Sequence, residues 1–258
     1  MFKKSLQLLV IISFLCFQQS CWDGSDSNIQ PYVRPLEIVK LSENDFLHVS
    51  YLKDGKGGYI PCNGFFRKEG SEVFVFDTPL NDSISEQLIA YITRDLKSEI
   101  KAVMVSHSHN DAAGGINAFV KANIPTYASL KTTQLLAKDS IFLSHSFEMV
   151  DSLFLGTNKI SMFYPGAGHT NDNAVAYIEN DHILLGGCLI KPVDGSKGNL
   201  ADASIAEWSN TIRKVKETYP NTRLIIPGHG RRGGEELLDY TIRLFEDNFA
   251  KVSKSLLY

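Results

Sequence analysis

The chain has 258 residues, 43% of them hydrophobic and 21% charged, which suffices for one large domain with a sizeable core. Its formal net charge of −3 becomes −5 (24 basic against 29 acidic residues) once Lys3 and Lys4 are removed with an N-terminal leader. That balance gives no electrostatic reason to expect a nucleic-acid partner, and no low-complexity linker, charge block or short repeat marks a second domain.

At the N-terminus Lys3 and Lys4 precede the apolar run from Leu6 to Phe17 and then Gln18-Gln19-Ser20-Cys21. Length and charge predict a signal peptide over residues 1–20, too short and wrongly flanked for a membrane span. Small Ser20 before Cys21 resembles a bacterial lipoprotein cleavage site, with Cys21 as the lipid anchor. Gln18 and Gln19 depart from the residues usual there, and ordinary secretion is the alternative. Either route predicts a periplasmic protein, with a polar tether over residues 21–35 and a folded domain over 36–258.

The folded part opens with two candidate hairpin strands, Leu36 to Tyr51 and Tyr59 to Phe76, around the turn signal Lys53-Asp54-Gly55-Lys56-Gly57-Gly58. Ser83 is placed to cap a helix whose Ile84, Leu88, Ile89, Ile92 and Leu96 form one apolar stripe. A strand at 101–105 and helices near 113–121 and 129–138 follow. The second half predicts strands near 148–155, 159–164, 174–179, 182–187 and 223–227, with helices near 204–218 and 235–251. Strands in two clusters among amphipathic helices define an α/β chain, expected as two sheets face to face with helices outside, a four-layer αββα sandwich.

Chemistry concentrates where apolar runs break into Gly or Pro. HSHND at 107–111, followed by Ala112-Ala113-Gly114-Gly115, sets His107, His109 and Asp111 two residues apart directly after Val103-Met104-Val105. GHTNDN at 168–173 adds His169, GGC at 186–188 adds Cys188, and PGHG at 227–230 adds His229. Neutral imidazole, carboxylate and thiolate on strand-end loops suit an open zinc site, and six such residues suffice for two metals with three ligands apiece. His48, His145 and His182 lie in no comparable motif and are read as ordinary structural histidines. Cys16 leaves with the signal, so the folded part keeps Cys62 and Cys188. Two thiols are not a disulfide scaffold, although the sequence leaves a Cys62–Cys188 bridge open.

From Glu37 onward the chain resembles the class B metallo-β-lactamases that use a cysteine ligand. The resemblance rests on FDTPLND at 76–82, HSHND with its double glycine, GHTNDN, GGCLIK at 186–191, GNLADA at 198–203 and PGHGRRGG at 227–234. It implies an αββα sandwich holding Zn2+, two per chain, in a groove between sheet edges. His107, His109 and His169 would hold the first ion, and Asp111, Cys188 and His229 the second. The implied activity is hydrolysis of the amide bond of β-lactam antibiotics, carbapenems included, by a hydroxide formed on zinc. Asp111 then counts among the catalytic residues, Asn199 donates to the oxyanion, and Lys191 pairs with the substrate carboxylate.

Further expectations follow from the same resemblance. Thr170 and Asn173 shape the loop of His169, and the hairpin at 53–58 is a flap whose apolar groups are Tyr59 and Ile60. Arg231 and Arg232 are candidates to reach anionic substrates. Ala112 stands where many relatives brace the second site, so weaker metal binding is expected there. The alternatives are another hydrolase of this fold (thioesterase, lactonase or phosphodiesterase) or a non-catalytic zinc-binding lipoprotein. Ala112 and Cys188 speak against the first, Lys191 and Asn199 against the second. A monomer is expected.

Overall fold

The computed structural model describes residues 35–255, with side chains as far as Glu246. The signal peptide at 1–20 and the tether, except Pro35, lie outside the described residues.

β1 (Glu37–Lys40), β2 (Asp45–Lys53), β3 (Tyr59–Glu69) and β4 (Glu72–Phe76) form an antiparallel meander. Each long run predicted as one strand is thus two. The first breaks where Ser42 Oγ accepts from the Asn44 and Asp45 amides, the second at Gly70, whose φ of 59° turns the chain. Between β2 and β3 the predicted turn forms, with Asp54 Oδ1 accepting from the Lys56 and Gly58 amides.

α1 (Asp82–Ala90) starts one residue before the predicted cap. Asn81, not Ser83, caps it, since Asn81 Oδ1 accepts from the Ile84 amide at 3.0 Å. The helix runs on into one wide turn, Tyr91–Asp95. After β5 (Glu99–Met104), the helix predicted at 113–121 is two short ones, α2 (Asn110–Ala113) and α3 (Ile116–Lys121), separated by Gly114-Gly115. These glycines are steric necessities. A Cβ at Gly114 would lie 2.3 Å from the Leu80 carbonyl oxygen, and one at Gly115 would lie 2.6 Å from that of Asn81.

β6 (Thr126–Ser129), α4 (Leu130–Lys138) and β7 (His145–Phe147) complete a seven-stranded sheet in the order β1 to β7. β8 (Val150–Leu155), β9 (Asn158–Phe163), β10 (Val175–Ile178), β11 (Ile183–Gly187) and β12 (Leu224–Pro227) form a second, in the order β12-β11-β10-β9-β8. α5 (Ile205–Thr218) and α6 (Glu236–Ser255) cover it.

Alternation along the strands builds three apolar layers. Phe74 and Phe76 of β4 point between the sheets, where Met104, Ile160, Met162 and Leu185 meet them. Val73 and Val75 point outward to Leu88, Ile92 and Phe119. In the second sheet Val175, Tyr177 and Leu184 face Trp208, Ile212 and Phe245 of the covering helices. Each such large side chain contributes ~1.5–3 kcal/mol on burial, so the rigid part of the molecule lies behind the strand ends. The αββα sandwich expected from the sequence is the observed architecture.

Candidate metal centre

Strand direction gathers the motifs. β4 and β5 are parallel and end side by side, and Val105 and Ser106 carry the chain, buried, from β5 to His107. β10 is antiparallel to β9 and β11, and β11 is parallel to β12, so β9, β11 and β12 end along one edge of the second sheet. The loop after β9 carries His169, Cys188 follows the end of β11, and His229 lies two residues beyond β12.

All six singled-out residues meet there. The rings of His107, His109 and His169 are 4.9, 4.9 and 5.2 Å apart between centroids and stand nearly perpendicular, at 74°, 82° and 86°. Their ligand nitrogens lie within 4.8 Å of one another, as do ligand atoms of His107, Asp111 and Cys188. His229 joins through Asp111, with Nε2 3.0 Å from Asp111 Oδ2, and Cys188 Sγ is 3.3 Å from that same oxygen. His107 stands between the two groups, its Nε2 3.3 Å from Asp111 Oδ1.

Neighbouring groups select the tautomers. His109 Nε2 lies 2.9 Å from Asp202 Oδ2, so it carries the proton and Nδ1 keeps the lone pair. His229 Nδ1 donates to the Pro61 carbonyl at 2.8 Å, which turns Nε2 toward Asp111. His107 Nδ1 meets Ser106 Oγ at 3.0 Å, leaving Nε2 free.

The residues fit a metal on one direct observation. His107 Nε2, Asp111 Oδ1 and both ring nitrogens of His169 are buried with no hydrogen-bond partner among the described residues. Unpaired buried polar atoms cost ~1–3 kcal/mol each, and natural folds rarely leave several together. Lone pairs converging from imidazoles, a carboxylate and a thiol match the donor preference of zinc.

Burial, aided by His107 and Lys191, draws His169 down to about 2, so its imidazole is neutral and free to bind. Burial and then the Asp111 charge push the Cys188 thiol up to about 12. Burial alone would raise Asp111, but its contacts with His107 and His229 outweigh it and hold the carboxyl far below its usual range. Burial would likewise lower His229, yet its contacts with Asp111, Cys188 and Cys62 hold it far above the usual imidazole range. A divalent cation takes over the counter-charge that the His229 proton supplies and favours the Cys188 thiolate.

Buried polar residues brace the ligand loops. Asp172 Oδ2 accepts from the Ser108 amide at 2.9 Å and from Thr132 Oγ1 at 3.0 Å. Thr170 and Asn173 shape the His169 loop as expected: the Thr170 amide donates to Asn173 Oδ1 at 2.9 Å, and Asn173 Nδ2 donates to the Gly166 carbonyl at 2.7 Å. From β3, Asn63 Nδ2 donates to the carbonyls of Pro227 and Gly230 at 3.0 and 2.9 Å, fixing the loop of His229. Asp172 and Asp202 sit inside motifs already quoted, but nothing in their spacing names a partner. Asn63 carries no sequence signal of its role beyond polarity beside apolar runs.

A groove of about 830 Å³ opens over the ligands, with Leu52, Ile60, Lys191 and Asn199 among its lining residues. Lys191 is 7% exposed, its Nζ 5.1 Å from the centre of the Trp208 ring, and burial lowers its pKa. Asn199 Oδ1 accepts from the Ala201 amide at 3.1 Å, which leaves the side-chain NH2 as its free donor.

Several expectations change. Leu52 and Ile60, 39% and 40% exposed, line the groove from the hairpin together with Pro61, and Tyr59 is not among them. Tyr59 pairs with Lys53 at the end of the hairpin, one step beyond the Leu52–Ile60 pair that reaches the groove. Arg231 and Arg232 do not line it either. Cys62 and Cys188 are both free thiols, so the bridge left open by the sequence is not formed. Ala112 is buried, and its carbonyl accepts from the amide and hydroxyl of Thr78.

Residues 57–229 match the family model of the metallo-beta-lactamase superfamily. A type 2 metallo-beta-lactamase of Pseudomonas aeruginosa is 35% identical over 207 residues, 80% of this chain and 82% of that one. Another, of Bacteroides fragilis, is 29% identical over 221 residues, 85% and 89% of the two chains. The solved metallo-beta-lactamase of Pontibacter korlensis superposes with a TM-score of 0.78 at 30% identity, covering 82% of this chain and 99% of its own. The structure of the DIM-1 metallo-beta-lactamase exposed to ceftazidime gives 0.78 at 33% identity, covering 84% and 99%. The chain belongs to the metallo-β-lactamase superfamily.

Proposed function

We infer that this protein is a zinc-dependent β-lactamase that hydrolyses the lactam amide bond, carbapenems included. The observation that carries this reading is the tris-histidine cluster beside the Asp111–Cys188–His229 group, on the floor of a groove that also presents Lys191 and Asn199. We assign two zinc ions per chain, one to His107, His109 and His169 and one to Asp111, Cys188 and His229. When bound, zinc polarises a carbonyl and lowers the pKa of water toward ~7, making a nucleophile available at neutral pH.

The chain's own residues supply binding and orientation. Lys191 offers a partly desolvated ammonium to the carboxylate that β-lactams carry. With its oxygen engaged by Ala201, Asn199 directs its N–H groups to the oxygen that gains charge as the carbonyl carbon becomes tetrahedral. Leu52 and Ile60 cover the apolar side of the substrate and exclude water. Asp111 is catalytic as a metal ligand that also orients His229.

The groove is complete within one chain, which supports action as a monomer. For localisation we propose export to the periplasm with Cys21 lipidated, on the strength of Lys3, Lys4, the apolar run and Ser20; processing that globomycin does not block would replace lipidation by ordinary secretion. The activity is tested by offering the zinc-loaded protein a carbapenem, a chromogenic cephalosporin, a thioester, a lactone and a phosphodiester. Preferential opening of the lactams is expected. Turnover confined to the last three would move the protein to another hydrolase of this superfamily, and zinc retained without any turnover would make it a storage protein.

A further inference from the structure

We propose that His48 is a positioning residue for the His107 ligand, acting through Asp77 and Ser106. The proposal rests on the reading of His107 as a metal ligand and adds a residue on a different strand to that site.

On the outer face of β2, His48 is 1% exposed and pairs in register with Gly64 of β3. A Cβ on Gly64 would lie 2.0 Å from His48 Cε1, so the neighbouring strand gives up a side chain to make room for this ring. His48 Nε2 is 3.1 Å from the Asp77 carbonyl oxygen, which can only accept, so Nε2 carries the proton. Nδ1 is buried without a partner among the described residues. An apolar side chain would fill the space without that cost, so the ring is kept for the hydrogen bond it donates.

That bond falls on a backbone in need of it. Asp77 has a φ of 58°, the left-handed region that a residue with a side chain seldom occupies. Its amide donates to the Met104 carbonyl at 2.8 Å, and His48 holds its carbonyl from the other side. Fixed at both ends, the residue turns a buried carboxyl group onto Ser106, accepting from the amide at 2.7 Å and from Oγ at 3.0 Å, two donors that oppose the upward pull of burial on its pKa. Because the Ser106 hydroxyl proton is spent on Asp77, its oxygen accepts from His107 Nδ1 at 3.0 Å. His107 Nε2 is thereby left as the lone pair in the metal centre. Every link is a direct hydrogen bond between buried groups, doubled between Asp77 and Ser106, so the orientation set at His48 reaches the ligand without solvent intervening.

The test compares His48→Leu with His48→Gln. Leucine fills the space and donates nothing, whereas the glutamine amide nitrogen reaches the same carbonyl. Zinc affinity is read by competition with a chromogenic chelator, and ligand geometry by the d–d spectrum of the cobalt-substituted protein. His48→Leu is expected to weaken the tighter zinc about tenfold and to shift the spectrum, with kcat falling more than KM. His48→Gln is expected to restore both. Should the leucine variant not fold, His48→Asn, whose amide is too short for the Asp77 carbonyl, carries the same expectation. Wild-type affinity and spectrum in a folded donor-less variant would reduce His48 to core packing. A wild-type protein that binds neither metal would overturn the metal-centre reading instead.

Discussion

The Ser108 amide donates to Asp172 Oδ2 at 2.9 Å, and this one bond ties the loop of His107, His109 and Asp111 to the loop of His169. The backbone carbonyl of Asp172 also accepts from Ser129 Oγ at 2.8 Å and Thr132 Oγ1 at 3.0 Å, which anchors the junction to the start of α4. Asp172→Ala leaves the part-buried Ser108 amide without its acceptor and Thr132 Oγ1 with the Asp172 backbone carbonyl alone. A loss of ~1–3 kcal/mol in unfolding free energy is expected, with weaker zinc binding. Chemical denaturation beside a zinc titration checks both, and Asp172→Asn, which keeps one acceptor, should lose less.

Asp202 is a contrasting case, since its side chain is 63% exposed at the groove and meets His109 from there. Asp202→Ala should leave thermal stability nearly unchanged and weaken the first zinc by roughly 10–100-fold, because His109 loses the acceptor that fixes its tautomer. A metal titration decides the matter; undiminished affinity would mean that the ring is oriented by packing alone.

Cys188→Ser exchanges a thiolate ligand for a hydroxyl that zinc seldom selects. The second zinc should be lost first on dialysis and turnover should fall, while circular dichroism stays that of the folded protein. Unchanged zinc content and unchanged turnover would remove Cys188 from the ligand set.

Lys191→Ala deletes the ammonium above Trp208 while leaving the ligands in place. The expected effect is mainly on KM, with binding weakened by ~2–5 kcal/mol if the substrate carboxylate is left desolvated and unpaired. Steady-state kinetics on several lactams checks this, and a KM equal to wild type throughout would take substrate binding away from Lys191.

His48 also makes acid stability testable. Burial lowers it from 6.5 to about 4, so it stays neutral in the fold while the unfolded chain takes up a proton below pH 6.5. More protons bound in the unfolded state means stability that is complete above pH 6.5 and declines as pH falls toward 4. The decline amounts to ~3 kcal/mol, and His48→Gln should flatten the zinc-loaded protein's stability curve in that window by a comparable amount. Parallel curves for the two proteins, from denaturant titrations at pH 4.5 to 7.5, would refute the assignment.

Much of this was legible in the chain because metal ligands are placed by local grammar. His107, Cys188 and His229 each follow an apolar run that breaks at glycine, proline or a polar loop, and strand direction brings such breaks to one edge. Length and alternation also made the two-sheet architecture readable. β6 and β7 were not, since four and three residues carry too little apolar periodicity to separate from loop. The helix start moved from Ser83 to Asn81 because both residue types cap well and only the fold chooses between them. Partnerships over long separations were invisible for the same reason. Asp202 reaches His109 across 93 residues and Asn63 reaches Pro227 across 164, and no spacing in the sequence encodes either.

The most direct test of the account is carbapenem turnover by the purified mature protein before chelation, after chelation, and after zinc is returned. Turnover that disappears with the metal and recovers as zinc approaches two equivalents is the predicted result. Turnover that survives complete removal of metal, or that stays absent in protein carrying zinc at both groups of ligands, would contradict it.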